Sequence, residues 1–182
     1  MIIGIAGKKG VGKTTVANSL CLNHDFKRVS FADPLKMMLR SLLLDVGLTE
    51  GEYHYYSALN KEQEIHQIGI SYRRLCQTLG TDWGLNMVGR SLWGICAENK
   101  IMDINQQGHG IVFDDVRFEH EAALIRSKGG VIVHLRGYAP TEYDQHPSEQ
   151  GIAVFDNDLV INNSGNISEV MDRLEGFIAW IG

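Results

Sequence analysis

The chain has 182 residues, of which 44% are hydrophobic and 21% charged, and a formal net charge of -5. That length can bury one substantial core, so we expect a single domain over 1–182. The acidic balance argues against polymeric nucleic acid as a partner. No apolar run approaches the roughly 20 residues that span a bilayer, and the start has no basic leader of the export type.

In chain order, "IIGIA" (2–6) reads as a buried strand, and "GKKGVGKTT" (Gly7 to Thr15) follows it directly. Gly7, four residues, then Gly12, Lys13 and Thr14 is the spacing G-x-x-x-x-G-K-[ST], a P-loop. Glycines such as Gly7, Gly10 and Gly12 let successive N–H groups turn inward around phosphates. Lys13 then reaches the outer phosphates of a nucleotide, Thr14 offers a hydroxyl to Mg²⁺, and Thr15 opens the helix with them. Val16, Ala17, Leu20 and Cys21 continue at helical spacing, so strand, loop and helix stand in the required order.

"RVSFA" (28–32) is the second strand. Asp33 then reads as an N-cap with Pro34 at N1, opening a helix through Leu35, Met38, Leu39 and Leu42 that stops near Gly47. From about 47 to 109 no convincing strand is expected. Helical stretches fill that interval, with Leu85, Val88, Leu92 and Ile95 at helical spacing. "GIVFD" (110–114) is the third strand, ending in Asp114-Asp115, with Arg117 just beyond. An acid at the carboxyl end of a buried strand suits Mg²⁺, and ligands of open parallel sheets bind at that edge. The plain alternative is an acidic pair at a helix start.

A helix over 118–128 closes at Gly129-Gly130, "VIVHL" (131–135) and "DLVI" (158–161) are the last strands, and the final helix carries Ile167, Val170, Met171, Leu174, Phe177, Ile178 and Ile181 on one face. Asn166 and Glu169 are spaced as in a capping box. Continuous apolar strands alternating with helices predict an α/β fold, a five-stranded parallel sheet covered on both faces. Cys21, Cys76 and Cys96 form no C-x-x-C pair and read as buried thiols suited to a reducing cytoplasm. His66 and His120 read as solvated helix residues, outside any metal-ligand spacing.

"SFADPLK", "YRRLCQTLGTDWG", "DDVRFEHEA", "DQHPSEQG" and "DLVINNSG", in this order, resemble the deoxynucleoside monophosphate kinases of tailed bacteriophages over nearly the whole chain. The resemblance implies a P-loop kinase fold with a helical acceptor-binding insertion (about 47–109) and a lid (about 136–151). It implies transfer of the γ-phosphoryl group of ATP, with Mg²⁺, to a deoxynucleoside monophosphate. The "DVRF" pattern favours Asp115 over Asp114 as the magnesium acid. The segment around Arg73, Arg74 and Gln77 becomes the acceptor site, and Asn162 to Gly165 the adenine side.

Charge handling is the main chemical task of such a reaction. Arg74, Arg117 and Arg136 are the catalytic cations, since their forks bind phosphate oxygens bidentately. Asp33 and Lys36 are candidates to orient the acceptor, with helix capping and a solvated helix lysine as their alternatives. Trp83 or a tyrosine of "YHYY" is a candidate to stack on the base, with core packing as its alternative. Leu85 stands where the family pattern has arginine, so either Arg90 on the same helix substitutes or one phosphate contact is absent. The rival readings are another small-molecule P-loop kinase and a nucleotide switch. For the latter, Asn60-Lys61 continues as Glu62-Gln63 and lacks the guanine-reading N-K-x-D. A homodimer is left open.

Overall fold

Along the first strand Ile3 and Ile5 turn to one side and Ile2 and Ala6 to the other, and all four are buried, so the sheet must be covered on both faces. The computed structural model describes residues 1–137, 151–163 and 165–181. In chain order the elements are β1 (Ile2–Ala6), α1 (Lys13–Asn23), β2 (Phe26–Val29), α2 (Asp33–Asp45), α3 (Glu50–His54), β3 (Glu64–Ile65), β4 (Ile70–Ser71), α4 (Tyr72–Gln77), α5 (Leu92–Gln106), β5 (Gly110–Val116), α6 (Glu119–Ser127), β6 (Val131–Gly137), β7 (Leu159–Asn163) and α7 (Ile167–Ile181). π-Helical segments occupy Tyr55–Leu59 and Thr78–Val88. Contacts divide the chain into one unit of Met1–Phe31 with Ala97–Gly182 and a second of Ala32–Cys96.

The first unit holds a five-stranded sheet in the order β2-β5-β1-β6-β7, with every neighbouring pair parallel. On one face α1 (Val16, Ala17, Leu20) and α7 (Val170, Met171, Leu174) cover Ile3, Ile5, Val112, Val133 and Ile161. On the other, α6 (Ala122, Ile125) with Ala97 and Ile101 of α5 covers Ile2, Ala6, Ile111, Phe113 and Ile132. The expected parallel α/β architecture is present. Asn166 caps α7: its Oδ1 accepts from Ser168 N–H (3.1 Å), and its amide donates to Glu169 (3.0 Å).

Four strands differ in their boundaries from expectation. The second strand is Phe26–Val29 rather than 28–32, because Ser30 and Phe31 leave the ladder to bond the Asp115 carboxylate. β5 runs on through Asp114 and Asp115 to Val116, with a bulge: Gly4 pairs with Phe113 and Ala6 with Val116, so β5 advances one residue more than β1 between those pairs. β6 and β7 extend to Gly137 and Asn163, which puts Arg136 and Asn162 in paired strand rather than in loops.

The second unit is mostly helical around Leu35, Leu39, Leu43, Leu48, Ile65, Tyr72 and Trp93. Leu43 completes the buried stripe of α2, while Met38 and Leu42 are exposed. Against expectation, Glu64–Ile65 and Ile70–Ser71 pair antiparallel, and His66 lies in the turn between them rather than in a helix. His120 does lie on α6, half-buried and stacked on Phe118. The helix expected through Leu85, Val88, Leu92 and Ile95 is broken at Gly89. Leu85 and Leu92 pack inward, Val88 and Ile95 are exposed, and Arg90 sits in the break rather than on the same helix.

"GTDWG" has a packing role. Trp93 Nε1 donates to the Gly80 carbonyl (2.9 Å), and a Cβ at Gly84 would meet the Trp93 ring at 2.6 Å. Gly84→Ala should therefore force Trp93 out of place at a cost of about 1–3 kcal/mol. Urea unfolding measures it; an unchanged midpoint would show that the ring has room to move.

Candidate active site

The phosphate loop joins β1 to α1. Gly12, the residue before the helix, has φ +99°, a left-handed conformation that favours glycine, and Gly10 has φ +81°. Gly7 is constrained by space, since its Cβ would meet the Leu135 carbonyl oxygen at 2.5 Å. Only Val11 of the loop is buried, against the α1–α7 side of the core. The Lys13 ammonium curls into the loop and donates to the carbonyls of Gly7 (2.7 Å) and Lys8 (2.8 Å). Thr15, next in α1, is exposed. With the macrodipole of α1, this builds a cradle for anionic oxygens.

The two aspartates of β5 go different ways. Thr14 Oγ1 donates to Asp114 Oδ2 at 3.2 Å, and Arg28 Nε lies 3.6 Å from the same oxygen. Asp115 is occupied elsewhere: Oδ2 accepts from Ser30 Oγ (2.5 Å) and Oδ1 from Phe31 N–H (3.0 Å). The acid beside Thr14 is thus Asp114, whereas the motif favoured Asp115. A hydroxyl and a carboxylate side by side are hard oxygen donors of the kind Mg²⁺ takes, and they fit that ion. Among the described residues no three His, Cys, Asp or Glu side chains group into a separate metal cluster.

Arg117 follows β5, and the buried Glu121 of α6 holds its backbone. Glu121 Oε2 accepts from Arg117 N–H (2.7 Å) and Phe118 N–H (3.0 Å). Burial, then the neighbouring Asp115 charge, pushes the Glu121 carboxyl up to about 8, although the two N–H groups and the Arg117 charge act against this. Arg136 is exposed on β6, paired through its backbone to Asn162. The loop after β7 meets the phosphate loop through Asn163, with its amide donating to the Val11 carbonyl (3.0 Å) and its oxygen accepting from Gly165 N–H (3.0 Å). Of the segment Asn162 to Gly165 expected on the adenine side, Asn162 and Gly165 are exposed and Asn163 is half-buried. The lid expected at about 136–151 lies, over 138–150, outside the described residues, as does Ser164.

The acceptor candidates all fall in the second unit. Asp33 is the first residue of α2 rather than its cap, which is Ala32, and its Oδ1 lies 3.8 Å from Lys36 Nζ. Arg73 pairs with Glu62 (3.5 Å), and Arg74, capped by Ser71, is exposed. Gln77 ends α4, and Trp83, 37% exposed, lies tilted to Trp93 within the π-helical segment that continues α4. The tyrosines of "YHYY" are engaged in packing, Tyr53 with Tyr72 and Tyr55 with Tyr56 and Gln63. Arg28, Ser30 and Glu121 were not legible as site residues, and Asn163 was legible only as part of the segment Asn162 to Gly165, without its tie to Val11. Arg28 and Ser30 are placed by contacts to Asp114 and Asp115 far along the chain, whereas Glu121 bonds backbone N–H groups only three and four residues before it.

Residues 43–174 match the model of the family described as deoxynucleotide monophosphate kinase, a span that does not include the phosphate loop. A protein of Acanthamoeba polyphaga mimivirus, provisionally given that same name, is 28% identical over 96% of this chain and 94% of its own length. The deoxynucleotide monophosphate kinase of Escherichia phage RB69 is 32% identical over 69% of this chain and 54% of its own. That of Enterobacteria phage T4 is 31% identical over 58% and 44%. The chain thus spans nearly all of the mimivirus protein and about half of these two phage enzymes.

Glu121 generates a pH prediction. With a folded value of about 8 against an ordinary 4.5, the folded chain holds a proton that the unfolded chain releases between those values. This group's stabilising contribution is complete below pH 4.5 and is lost as pH rises through about 8. Glu121→Gln keeps an acceptor for the two N–H groups and cannot ionise. Its melting temperature should gain on the unmodified chain as pH rises from about 5 to about 9. A gap independent of pH would mean that the carboxyl is already ionised in the fold.

Proposed function

The chain belongs to the deoxynucleotide monophosphate kinase family, and on that premise we propose that it transfers the γ-phosphoryl group of ATP to a deoxynucleoside monophosphate. The observation that carries the donor half is the cradle of Gly7 to Thr14 with Asp114 beside Thr14. An acceptor phosphate, with a second pKa of about 6, is already ionised at neutral pH and needs no strong base. Its oxygen attacks the γ-phosphorus, the bond from that phosphorus to the bridging oxygen breaks, and ADP leaves.

Lys13 follows the β- and γ-phosphates and balances the charge that spreads over the transferring group. Thr14 and Asp114 would hold Mg²⁺, which would supply neutralisation of phosphate charge. Asp115 serves by fixing the Ser30–Phe31 turn. Arg117 and Arg136, at the ends of β5 and β6, supply forks for phosphate oxygens, and the segment from Asn163 to Gly165 lies along the nucleoside of ATP. In the second unit Arg73, Arg74 and Lys36 take the acceptor phosphate, while Asp33, Gln77 and Trp83 orient its sugar and base. The substrates are small nucleotides, and the proposed working place is the cytoplasm of the cell in which the chain is made. No described helix is long and apolar enough to cross a membrane. Homodimerisation belongs to the same proposal and is read by light scattering.

The direct experiment is coupled ADP release with ATP and each deoxy- and ribonucleoside monophosphate in turn. Release should depend on a deoxynucleoside monophosphate, and Lys13→Ala should abolish it with circular dichroism unchanged. Release that ignored every monophosphate would point to a plain NTPase. Magnesium titration separates the two acids. Asp114→Asn should raise the Mg²⁺ needed for half-maximal rate by about tenfold or more, a loss of roughly 1.4 kcal/mol. Asp115→Asn should lower the melting temperature with a smaller magnesium shift, and the reverse pattern would return the metal to Asp115.

A further inference from the structure

Asn163 stands out because two loops that meet nowhere in sequence share its single amide. Its Nδ2 donates to the Val11 carbonyl at 3.0 Å, inside the phosphate loop. Its Oδ1 accepts from Gly165 N–H at 3.0 Å, in the loop after β7. The fit leaves no room for a side chain opposite, since a Cβ at Gly12 would lie 2.9 Å from Nδ2. Beneath it, a Cβ at Gly137 would meet the Asn163 carbonyl oxygen at 2.5 Å and the Val11 side chain at 3.4 Å. Val11, the buried residue of the phosphate loop, is therefore keyed between the ends of β6 and β7.

The direction in which a nucleotide leaves this loop gives that junction a purpose. Thr14, Asp114 and Arg28 gather on the β5 side of β1, the side to which the proposed function assigns Mg²⁺ and the outer phosphates. Ligands of parallel sheets lie across the carboxyl ends of the strands. With the β5 side taken, the nucleoside extends over β6 and β7, where Asn163 sits. We infer that Asn163 is a positioning residue for the donor nucleotide, holding the phosphate loop and the loop after β7 in one register so that phosphates and nucleoside bind together. The inference rests on the reading of the phosphate loop as the ATP site and goes beyond it in assigning a coupling role.

The test compares two ligands of similar charge, ATP and inorganic tripolyphosphate, each with Mg²⁺, by calorimetry on the full chain without acceptor. Tripolyphosphate reads the phosphate loop alone, and ATP reads both loops. In Asn163→Ala the preference for ATP over tripolyphosphate should fall about tenfold, while KM for the acceptor stays within about twofold. Asn163→Asp has the same shape, keeps the acceptor for Gly165 N–H and loses the donor to Val11. It should show the same fall, because its added charge repels both ligands alike and cancels in the ratio. An unchanged preference in both folded variants overturns the inference, and so does an acceptor KM that rises as much as the KM for ATP. An unmodified chain that bound tripolyphosphate as tightly as ATP would overturn it directly. If the preference falls in the variants but no deoxynucleotide supports ADP release, the acceptor reading fails and the role of Asn163 stands.

Discussion

A loop that grips phosphates with its backbone must turn its amides toward the ligand, and so it keeps few side chains with which to hold itself in place. Here that burden falls on Val11, buried at the edge of the α1–α7 core. The residues around it are shaped by this need. Gly7 leaves space beside the Leu135 carbonyl, Gly137 leaves space over Asn163, and Gly12 leaves space for the Asn163 amide. The parallel sheet brings these positions together, because β6 lies beside β1 and β7 beside β6, all running the same way. The loop's geometry is thus a property of three strand ends as much as of its own glycines.

The acidic side of the site follows from alternation along β5, which has Val112 on the α1 face and Phe113 on the other. In a strand adjacent residues face opposite ways, so of two neighbouring aspartates only one can look toward α1, and it is the one two places after Val112. Asp114 reaches Thr14, and Asp115 turns to Ser30 and Phe31. The same bonds end β2 early. One carboxylate can serve a cation while its neighbour shapes the backbone, and Glu121, buried close by, completes the turn that carries Arg117.

The second unit shows how a family-specific string can be structural. "QTLGTDWG" supplies the carbonyl and the gap that seat Trp93, in a π-helical stretch that continues α4. Such stretches are rare and recur at functional sites. The wider turn also explains why Leu85, Val88, Leu92 and Ile95 do not form one face: their spacing fits an α-helix, but Gly89 ends one helix and α5 begins another.

Much of the architecture could be read from the chain alone. Apolar runs without polar alternation require burial on both faces, and the spacing from Gly7 to Thr14 requires a phosphate cradle, so sheet type, helix layers and donor loop follow from local rules. The cap at Asn166 was legible for the same reason, since a cap and its partner lie within one turn. The contacts that turn a loop into a site were not legible. Which aspartate faces Thr14 depends on which face of β5 the helix α1 covers, and the tie from Asn163 to Val11 joins residues 152 positions apart. Periodicity and spacing describe a chain's neighbours along itself. Strand register, and the side chains that meet across it, exist only once the sheet has formed.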